Sequence, residues 1–256
     1  MALTGRTALI TGSTSGIGLG IADVLAQAGA NVVLNGFGDT QAAVKHLERH
    51  GGRVGFHGAD LADPRQIGEL VAYTEREFGA LDILVNNAGI QHVAKVEQFA
   101  PERWDAVIAL NLSAVFHATR LALPGMQARN WGRVINIASV HGSVGSVGKV
   151  AYVAAKHGVI GLTKVVALEN ARSGVTCNAI CPGWVLTPLV QQQIDARVAA
   201  GEPAEQAARA LLAEKQPSEA FVTPQQLGEL ALFLCGTGAE QVRGAAWNVD
   251  GGWLAQ

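Results

Sequence analysis

Residues 7–28 read TALITGSTSGIGLGIADVLAQA, which combines three local patterns. Thr7 to Ile10 is an apolar run that predicts a buried strand, and Leu19 to Ala28 has the apolar spacing of a helix. The turn between them has glycines spaced Gly-x-x-x-Gly-x-Gly. A glycine turn between a strand and a helix is a cradle for phosphates, because the amides at a helix N-terminus attract anions. We therefore predict a dinucleotide site whose contacts include Gly12, Thr14, Ser15, Gly16, Ile17 and Gly18.

The rest of the chain continues to alternate short apolar runs with helical patterns. Further strands are predicted at Asn31–Leu34, Val54–Gly58, Leu81–Val85, Val134–Ala138, Thr176–Ile180 and Ala245–Val249. Continuous apolar strands separated by helices are typical of a parallel sheet that is covered on both faces. With 256 residues, 49% of them hydrophobic, the chain is long enough to fill one large core. We predict an α/β fold and a single domain spanning residues 1–256.

The composition argues against several function classes. The formal net charge is -2 and no run of like charges occurs, so neither nucleic acid nor an anionic membrane is expected as a partner. No stretch approaches the roughly 18 unbroken apolar residues of a membrane helix, and no charged-then-apolar leader precedes the first strand. The 3 cysteines form no Cys-x-x-Cys pair, which fits buried thiols in a reducing compartment. We expect a cytoplasmic protein that binds small molecules and copies of itself, without a catalytic metal.

The end of the second predicted strand bears on the choice of cofactor. A dinucleotide fold usually places an acid there for the adenosine ribose, but this chain has Asn35-Gly36-Phe37-Gly38, and Asp39 comes late. No Arg or Lys stands there to neutralise a 2′-phosphate, so NAD is favoured over NADP. Phe37 has two interpretations, a cover for the adenosine or a loop aromatic packed on the neighbouring helix. Asp60 follows the third strand, where it would meet adenine.

A second pattern predicts chemistry on an alcohol. Tyr152 and Lys156 are four residues apart in a segment without Pro, Val150 to Leu168, so on a helix they share one face. Ser139 follows the fifth predicted strand, at the edge that faces this helix. A phenol has a pKa of about 10, and a nearby cation favours the phenolate. The three side chains are therefore candidates for a catalytic group, whereas the Tyr-x-x-x-Lys spacing alone also fits a core tyrosine with a snorkelling lysine.

Two further segments are candidates for supporting roles. Asn111 lies within a long helical stretch from Pro101 to about Ala128, where it is either a satisfied structural amide or a holder of water near the site. Residues 189–222 interrupt the alternation with two helical segments, Val190 to Ala200 and Pro203 to Lys215. An insertion of this kind between a strand and the next helix predicts a lid over the substrate.

Together these patterns resemble the short-chain dehydrogenase/reductase family over essentially the whole chain. The marks are the Gly12 to Gly18 turn, Asn86-Asn87-Ala88-Gly89, Ser139 with Tyr152 and Lys156, and Pro182-Gly183 after the sixth strand. The resemblance implies a doubly wound Rossmann fold with seven parallel strands, helices on both faces, and usually a homotetramer. It also implies that Lys156 bridges the nicotinamide ribose and that Asn111 holds a water for proton release. The cofactor contacts that it adds are Leu61, Asn87, Tyr152, Lys156, Pro182, Val185 and Thr187.

Within this family the chain is similar to the bacterial D-3-hydroxybutyrate dehydrogenases. The similarity is carried by residues 35–39, 87–92, 139–142 and 214–218, which read NGFGD, NAGIQH, SVHG and EKQPS. It implies NAD-dependent oxidation of D-3-hydroxybutyrate to acetoacetate, with Tyr152 as the general base. The residues that it implies for the substrate are Gln91, His141, Lys149 and Gln193 at the carboxylate, with Trp184 and Trp253 on the apolar side. Each polar residue also has an ordinary interpretation, as a solvated lysine, a loop histidine or a surface amide.

Two rival functions remain open. A reductase of the same fold would act on a sugar, a steroid or a carrier-bound 3-oxoacyl chain, and then Lys149 and His141 would be incidental. A dinucleotide-sensing module would keep the fold without turnover, although Ser139, Tyr152 and Lys156 are all present. The rate of NAD reduction with D-3-hydroxybutyrate distinguishes these functions.

Overall fold

Seven strands form one parallel sheet in the part of the chain described by the structure, a computed structural model. That part comprises residues 2–213 and 215–256, without the side chains at positions 189 and 193. The strands are β1 Thr7–Ile10, β2 Asn31–Leu34, β3 Val54–Phe56, β4 Ile83–Asn86, β5 Gly132–Ile137, β6 Val175–Pro182 and β7 Ala246–Val249. Their order is β3-β2-β1-β4-β5-β6-β7, so the sheet is wound outward in both directions from β1 and β4. The doubly wound fold predicted from the sequence is confirmed.

Strand boundaries differ from the predicted ones by a few residues. β4 begins at Ile83 instead of Leu81, and β3 ends at Phe56 instead of Gly58. β6 extends to Pro182 because Cys181 and Pro182 remain in register with β7. Pairing with the neighbouring strand, which hydropathy does not report, therefore decides where each strand ends.

Helices cover both faces of the sheet. They are α1 Gly16–Gln27, α2 Thr40–Glu48, α3 Pro64–Phe78, α4 Pro101–Ile108, α5 Ala114–Ala128, α6 Val150–Glu169, α7 Pro188–Ala199, α8 Ala204–Ala213 and α9 Pro224–Cys235. Buried side chains of α1, α2 and α9 share one apolar core with the sheet, and those of α3, α5 and α6 share another. At the start of α3 the Asp63 carboxylate caps the helix, since it accepts the backbone N–H of Arg65 at 2.9 Å. A π-helical turn, Ala109–Ser113, joins α4 to α5.

Two helical stretches, Pro101–Ala128 and Val150–Glu169, have the length and apolar composition of membrane-crossing helices. Helices that cover a sheet share this composition because one face of each is part of the core. Here α5 and α6 bury side chains such as Ala118, Ala122 and Val166 against the sheet. The composition of these stretches is therefore weak evidence for a membrane span.

A chain of buried polar side chains ties α5 and α6 to the middle of the sheet. Asn136 on β5 accepts a hydrogen bond from Asn86 Nδ2 at 2.8 Å and donates one to Thr163 Oγ1 on α6 at 2.9 Å. Asn86 also donates to Thr119 Oγ1 on α5 at 3.2 Å. Asn136 and Asn86 are 0% and 4% exposed, so water does not substitute for these bonds. Since α6 carries Tyr152 and Lys156, this network positions the catalytic helix.

We expect Asn136→Leu to lower the free energy of unfolding by about 2–4 kcal/mol, because buried hydrogen-bonding groups lose their partners. Urea denaturation followed by circular dichroism measures this change. Gln41→Leu is the matched control, since Gln41 is exposed on α2, and we expect a change within about 0.5 kcal/mol. Equal stabilities of the two variants would contradict a structural role for the network.

Residues 188–222 form a helical hairpin of α7 and α8 above the carboxyl edge of the sheet, close to the predicted insertion. Its small core contains Val190, Ile194 and Ala207, with Trp184 packed against it. The helices end at Ala199 and Ala213, one and two residues before the predicted ends. That this hairpin closes over a substrate stays a prediction.

Candidate active site

A cavity of about 900 Å³ opens beyond the carboxyl ends of β1, β4, β5 and β6. Doubly wound sheets bind ligands here, where the strand order reverses. The predicted site residues that line it are Gly12, Thr14, Ser15, Ile17, Phe37, Asp60, Leu61, Asn87, Gln91, Ser139, His141, Lys149, Tyr152, Lys156, Pro182, Trp184, Val185, Thr187 and Trp253. Gly16, Gly18 and Asn111 are not among the lining residues, and the Gln193 side chain lies outside the described part. The fold thus brings the cofactor, catalytic and substrate candidates into one cavity.

The glycine turn fits a pyrophosphate. Gly12 has φ +61°, and a Cβ there would lie 2.9 Å from the Cα of Ala88. A Cβ at Gly18 would collide with the carbonyl oxygen of Gly12, so α1 begins directly against the turn. The Ser15 side chain does not cap α1, and the first turn of this helix carries no acid. The first amides of α1 are therefore available to an anion.

Sequence reasoning missed the role of Thr11 in holding this cradle together. Its hydroxyl accepts the backbone N–H groups of Asn87 at 2.9 Å and Ala88 at 3.1 Å. In return, Asn87 Nδ2 donates to the carbonyls of Thr11 and Gly12, both at 2.9 Å. The two turns are more than 70 residues apart in the chain, and only the pairing of β1 with β4 brings them together.

The adenosine side of the cavity is formed by the residues after β2. Thr14 Oγ1 donates to the carbonyl of Phe37 at 2.6 Å, and a Cβ at Gly36 would lie 2.9 Å from that hydroxyl oxygen. The Phe37 ring is 73% exposed, so it does not pack on the neighbouring helix, and its role as an adenosine cover stays a prediction. Asp60 lines the same end of the cavity. These residues and the glycine turn together fit a nicotinamide dinucleotide.

Ser139, Tyr152 and Lys156 meet in the middle of the cavity. Tyr152 and Lys156 lie one turn apart on α6, and the Tyr152 hydroxyl hydrogen-bonds to Ser139, which follows β5. Lys156 Nζ donates to the carbonyl of Ile137 at 2.7 Å and lies 5.6 Å from the centre of the Tyr152 ring. The sequence-based grouping of these three side chains agrees with their placement, and their catalytic roles remain predictions.

Burial acts against the predicted effect of Lys156 on the Tyr152 phenol, and the role of Tyr152 as a proton acceptor stays a prediction. Burial raises the pKa of Tyr152 above its ordinary value, and the hydrogen bond with Ser139 opposes this only in part. Desolvation also lowers the pKa of Lys156 to about 8. Burial is the largest influence on the pKa of Tyr152, and the ammonium group of Lys156 is hydrogen-bonded to the carbonyl of Ile137. At neutral pH Tyr152 is therefore a phenol that can donate a proton.

These pKa directions predict opposite pH profiles for the two directions of a dehydrogenase reaction. Alcohol oxidation needs Tyr152 without its proton, and its pKa is raised above the whole interval, so we expect kcat to rise between pH 6.5 and 8.5 by about a hundredfold. Carbonyl reduction needs the phenol, so its kcat should stay level or fall over the same interval. Steady-state rates in both directions, in buffers of constant ionic strength, measure the profiles. Parallel profiles would contradict the assignment of Tyr152 as the proton carrier.

His141 is buried beside the catalytic group, with 7% of its surface exposed. Its Nδ1 lies 3.2 Å from Ser139 Oγ, and its ring is 6.0 Å from that of Tyr152 and 5.6 Å from that of Trp253. Burial, and secondarily the charge of Lys149, lowers the pKa of His141 to about 4. The imidazole is therefore neutral at physiological pH and offers one donor and one acceptor. An ordinary surface-loop histidine would not be enclosed in this way.

Lys149 is held over the cavity by its backbone. Gly148, with φ +77°, precedes it, and the carbonyl of Gly148 accepts the N–H of Ala94 at 2.9 Å. Lys149 Nζ lies 5.9 Å from the centre of the Trp184 ring, and burial lowers its pKa. A fully solvated surface lysine would not show this desolvation. Gln91 is exposed at the cavity wall on the side of β4.

Asn111 is 0% exposed within the π-helical turn. Its side-chain oxygen accepts the N–H of Ile90, and its nitrogen donates to the carbonyl of Ile90, both at 2.9 Å. This pair of bonds favours the satisfied structural amide over the holder of water. A role for Asn111 in proton release stays a prediction.

The cysteines contribute no reactive thiol or ligand group. Cys177, Cys181 and Cys235 are buried free thiols, and desolvation raises the pKa of each. Within residues 2–213 and 215–256, no group of three or more His, Cys, Asp or Glu side chains is arranged to hold a metal ion. The described lining of the cavity includes hydroxyl, imidazole and ammonium groups, at Ser139, Tyr152, His141, Lys149 and Lys156.

Comparisons with known proteins agree with this arrangement. The model of the short chain dehydrogenase family matches residues 6–198. A D-beta-hydroxybutyrate dehydrogenase of Cupriavidus necator is 62% identical over 257 residues, which cover 99% of this chain and 100% of the relative. A second protein of that name, from Rhizobium meliloti, is 52% identical over 98% of this chain and 99% of its own length.

Solved structures extend the comparison to the fold. An actinorhodin polyketide ketoreductase with NADPH has a TM-score of 0.91 and 38% identity, with 98% of each chain covered. A levodione reductase has a TM-score of 0.91 and 32% identity, with 99% of each chain covered. These relatives and structures are all named as dehydrogenases or reductases, although for different substrates.

Proposed function

This chain is an oxidoreductase of the short-chain dehydrogenase family, and we propose that it interconverts D-3-hydroxybutyrate and acetoacetate with NAD. The observation that carries the substrate class is a lysine, Lys149, set between Trp184 and the catalytic side of an apolar cavity. A cation at this position suits a small substrate with a carboxylate. One methylene group separates that carboxylate from the carbon that reacts, whose hydroxyl would lie at Tyr152. The choice among small hydroxy acids is supported by the relatives that are 62% and 52% identical.

In the proposed mechanism, the Ser139 hydroxyl hydrogen-bonds to the oxygen at C3 of the substrate, and Tyr152 takes the hydroxyl proton during oxidation. The cofactor supplies the hydride acceptor. Lys156 uses one ammonium donor on the carbonyl of Ile137, which leaves two for the nicotinamide ribose. Neutral His141 and charged Lys149 bind the carboxylate, with Gln91 and, when the hairpin closes over the site, Gln193. Trp184 and Trp253 exclude water from the methyl side.

NAD is proposed over NADP because the residues after β2 include no cation for a 2′-phosphate. Asn35 is buried, and its amide donates to the carbonyls of His57 and Ala59, both at 3.0 Å, so it is not free to bind a phosphate. Phe37 occupies the exposed position that follows. The polyketide ketoreductase that superposes on this chain has NADPH, so the preference needs a direct measurement.

A homotetramer in the cytoplasm is also proposed. Large apolar side chains are exposed on α5 (Phe116), on α6 (Val165 and Leu168) and on α9 (Phe233). If each of two apolar faces packs against the same face of another copy of the chain, the four chains form a tetramer with dihedral symmetry. The three unpaired thiols suit a reducing compartment. We expect light scattering after gel filtration to give about four times the 26.6 kDa chain mass, whereas a monomer would contradict the proposal.

The proposed function is tested by initial rates of NAD reduction with D-3-hydroxybutyrate, its L-enantiomer and D-lactate, repeated with NADP. Strong activity confined to the D-enantiomer and NAD is the expected result. If D-3-hydroxybutyrate is inert while a ketoacyl thioester is reduced with NADPH, the ketoacyl reductase alternative replaces the proposal. If no alcohol or carbonyl reacts although NAD binds, the sensing module replaces it.

A further inference from the structure

The segment Gln216-Pro217-Ser218 comes after α8, near the end of the helical hairpin, and none of its residues lines the cavity. Gln216 is nevertheless 0% exposed. A buried amide costs free energy unless both of its polar ends are paired, so the partners of Gln216 indicate what it holds in place.

Gln216 joins the two ends of the hairpin. Its Oε1 accepts the backbone N–H of Trp184 at 2.8 Å, before α7, and its Nε2 donates to the carbonyl of Ala220, after α8. A second link runs beside it, since Val222 N–H donates to the carbonyl of Trp184 at 2.9 Å. The Gln216 side chain therefore joins the two ends of the hairpin, next to Trp184, which lines the cavity.

The same segment touches the turn that precedes Trp253. Ser218 N–H donates to the carbonyl of Gly251 at 3.0 Å, and Gly251 has φ +58° with no room for a Cβ against the Ser218 side chain. On the other side, a Cβ at Gly183 would lie 2.5 Å from Gln216 Oε1. Gln216 to Ser218 thus fill the space between the turn at Gly183 and the turn at Gly251.

The two tryptophans depend on these turns for their positions. Within the described residues, the buried indole nitrogen of Trp184 has no hydrogen-bond partner, so packing and the backbone orient the ring. Trp253 contacts His141, and Trp184 faces Lys149. The separation of the two rings sets the length of the apolar space beside the carboxylate anchor.

We infer that Gln216 is a positioning residue that sets the separation of Trp184 and Trp253 and thereby limits the chain length of the hydroxy acid. This rests on the proposed function, because it takes a short hydroxy acid as the substrate. Removing the amide leaves the N–H of Trp184 without its acceptor and leaves the carbonyl of Ala220 with only the long hydrogen bond from Ser218 Oγ at 3.5 Å, which frees the Trp184 turn to move. The KM for a longer hydroxy acid would then rise less than the KM for the four-carbon acid.

The test compares Gln216→Leu with the wild-type protein on D-3-hydroxybutyrate and D-3-hydroxyhexanoate. We expect KM for the four-carbon acid to rise about tenfold or more, and the preference over the six-carbon acid to fall by a similar factor. The control is Gln191→Leu, since Gln191 is exposed on α7 and its side chain donates along its own helix, to Asp195. An unchanged chain-length preference in Gln216→Leu would overturn the inference.

Gln216→Glu provides a readout that a general loss of structure would not produce. A protonated carboxyl keeps both bonds of the amide, whereas a carboxylate cannot donate to Ala220, and burial raises the pKa of such a carboxyl. The ratio of its KM to that of the wild-type protein should be near one at pH 6 and about tenfold higher at pH 8.5. A ratio independent of pH would overturn the inference. Failure of the proposed function would appear separately, as inert D-3-hydroxybutyrate with the wild-type protein.

Discussion

Replacing Tyr152 by Phe should lower kcat/KM for D-3-hydroxybutyrate by about a thousandfold or more, since it removes the proton acceptor and leaves the ring in place. The neighbouring groups cannot take over. Lys156 is hydrogen-bonded to the carbonyl of Ile137, and the Ser139 hydroxyl is a far weaker acid than a phenol, so it does not lose its proton to serve as the base. The dissociation constant of NAD should change by less than about threefold, because the glycine turn and Lys156 remain.

The chain has only one other tyrosine, which provides the control. Tyr73 lies on α3, where its ring contacts His57 at 5.2 Å, away from the cavity. Tyr73→Phe should keep kcat/KM within about twofold of the wild-type value, because it touches no reacting group. Stopped-flow measurement of the first turnover separates the chemical step from product release. Retained turnover in Tyr152→Phe would remove this tyrosine from the mechanism.

Local sequence patterns predicted most of the fold because they report local physical constraints. The apolar runs before Thr11 and Asn86 could only be strands buried on both faces, and the four-residue spacing of Tyr152 and Lys156 holds on any helix. The hydrogen bonds that join distant turns, such as Thr11 to Asn87, have no local signal. They follow from strand order, which depends on the whole core.

The protonation of Tyr152 shows a different limit of sequence reasoning. The spacing correctly placed Lys156 near the ring, but the pKa of a phenol depends on how much water the folded protein removes. Burial is the largest influence on the pKa of Tyr152 and raises it, which opposes the predicted effect of a nearby cation. Similarly, the EKQPS motif at 214–218 was visible as a family resemblance, yet its physical role depends on the contacts of Gln216 in three dimensions.

Lys149→Met should lower kcat/KM for D-3-hydroxybutyrate by about a hundredfold. In the proposed site Lys149 is the cation that binds the substrate carboxylate, and the cavity is partly desolvated, so water replaces that interaction poorly. Methionine keeps much of the apolar stem, so packing on Trp184 changes little. The methyl ester of the same hydroxy acid carries no charge, and its kcat/KM should change by less than about threefold. The ratio of the two rates therefore measures the charge interaction separately from the shape of the cavity.

Lys95→Met is the matched control, since Lys95 is an exposed lysine on the adjoining loop that does not line the cavity. It should leave kcat/KM for both the acid and the ester within about twofold of the wild-type values.

If Lys149→Met slows the acid and the ester equally, the lysine maintains the shape of the cavity and does not bind the carboxylate. If it slows neither, the carboxylate must be bound by the uncharged side chains of the proposed site, His141, Gln91 and Gln193. Neutral His141 supplies one hydrogen bond but no charge, so that result would predict similar affinities for hydroxy acids and their amides. In either case Ser139, Tyr152 and Lys156 would still account for proton transfer, because their geometry does not depend on Lys149.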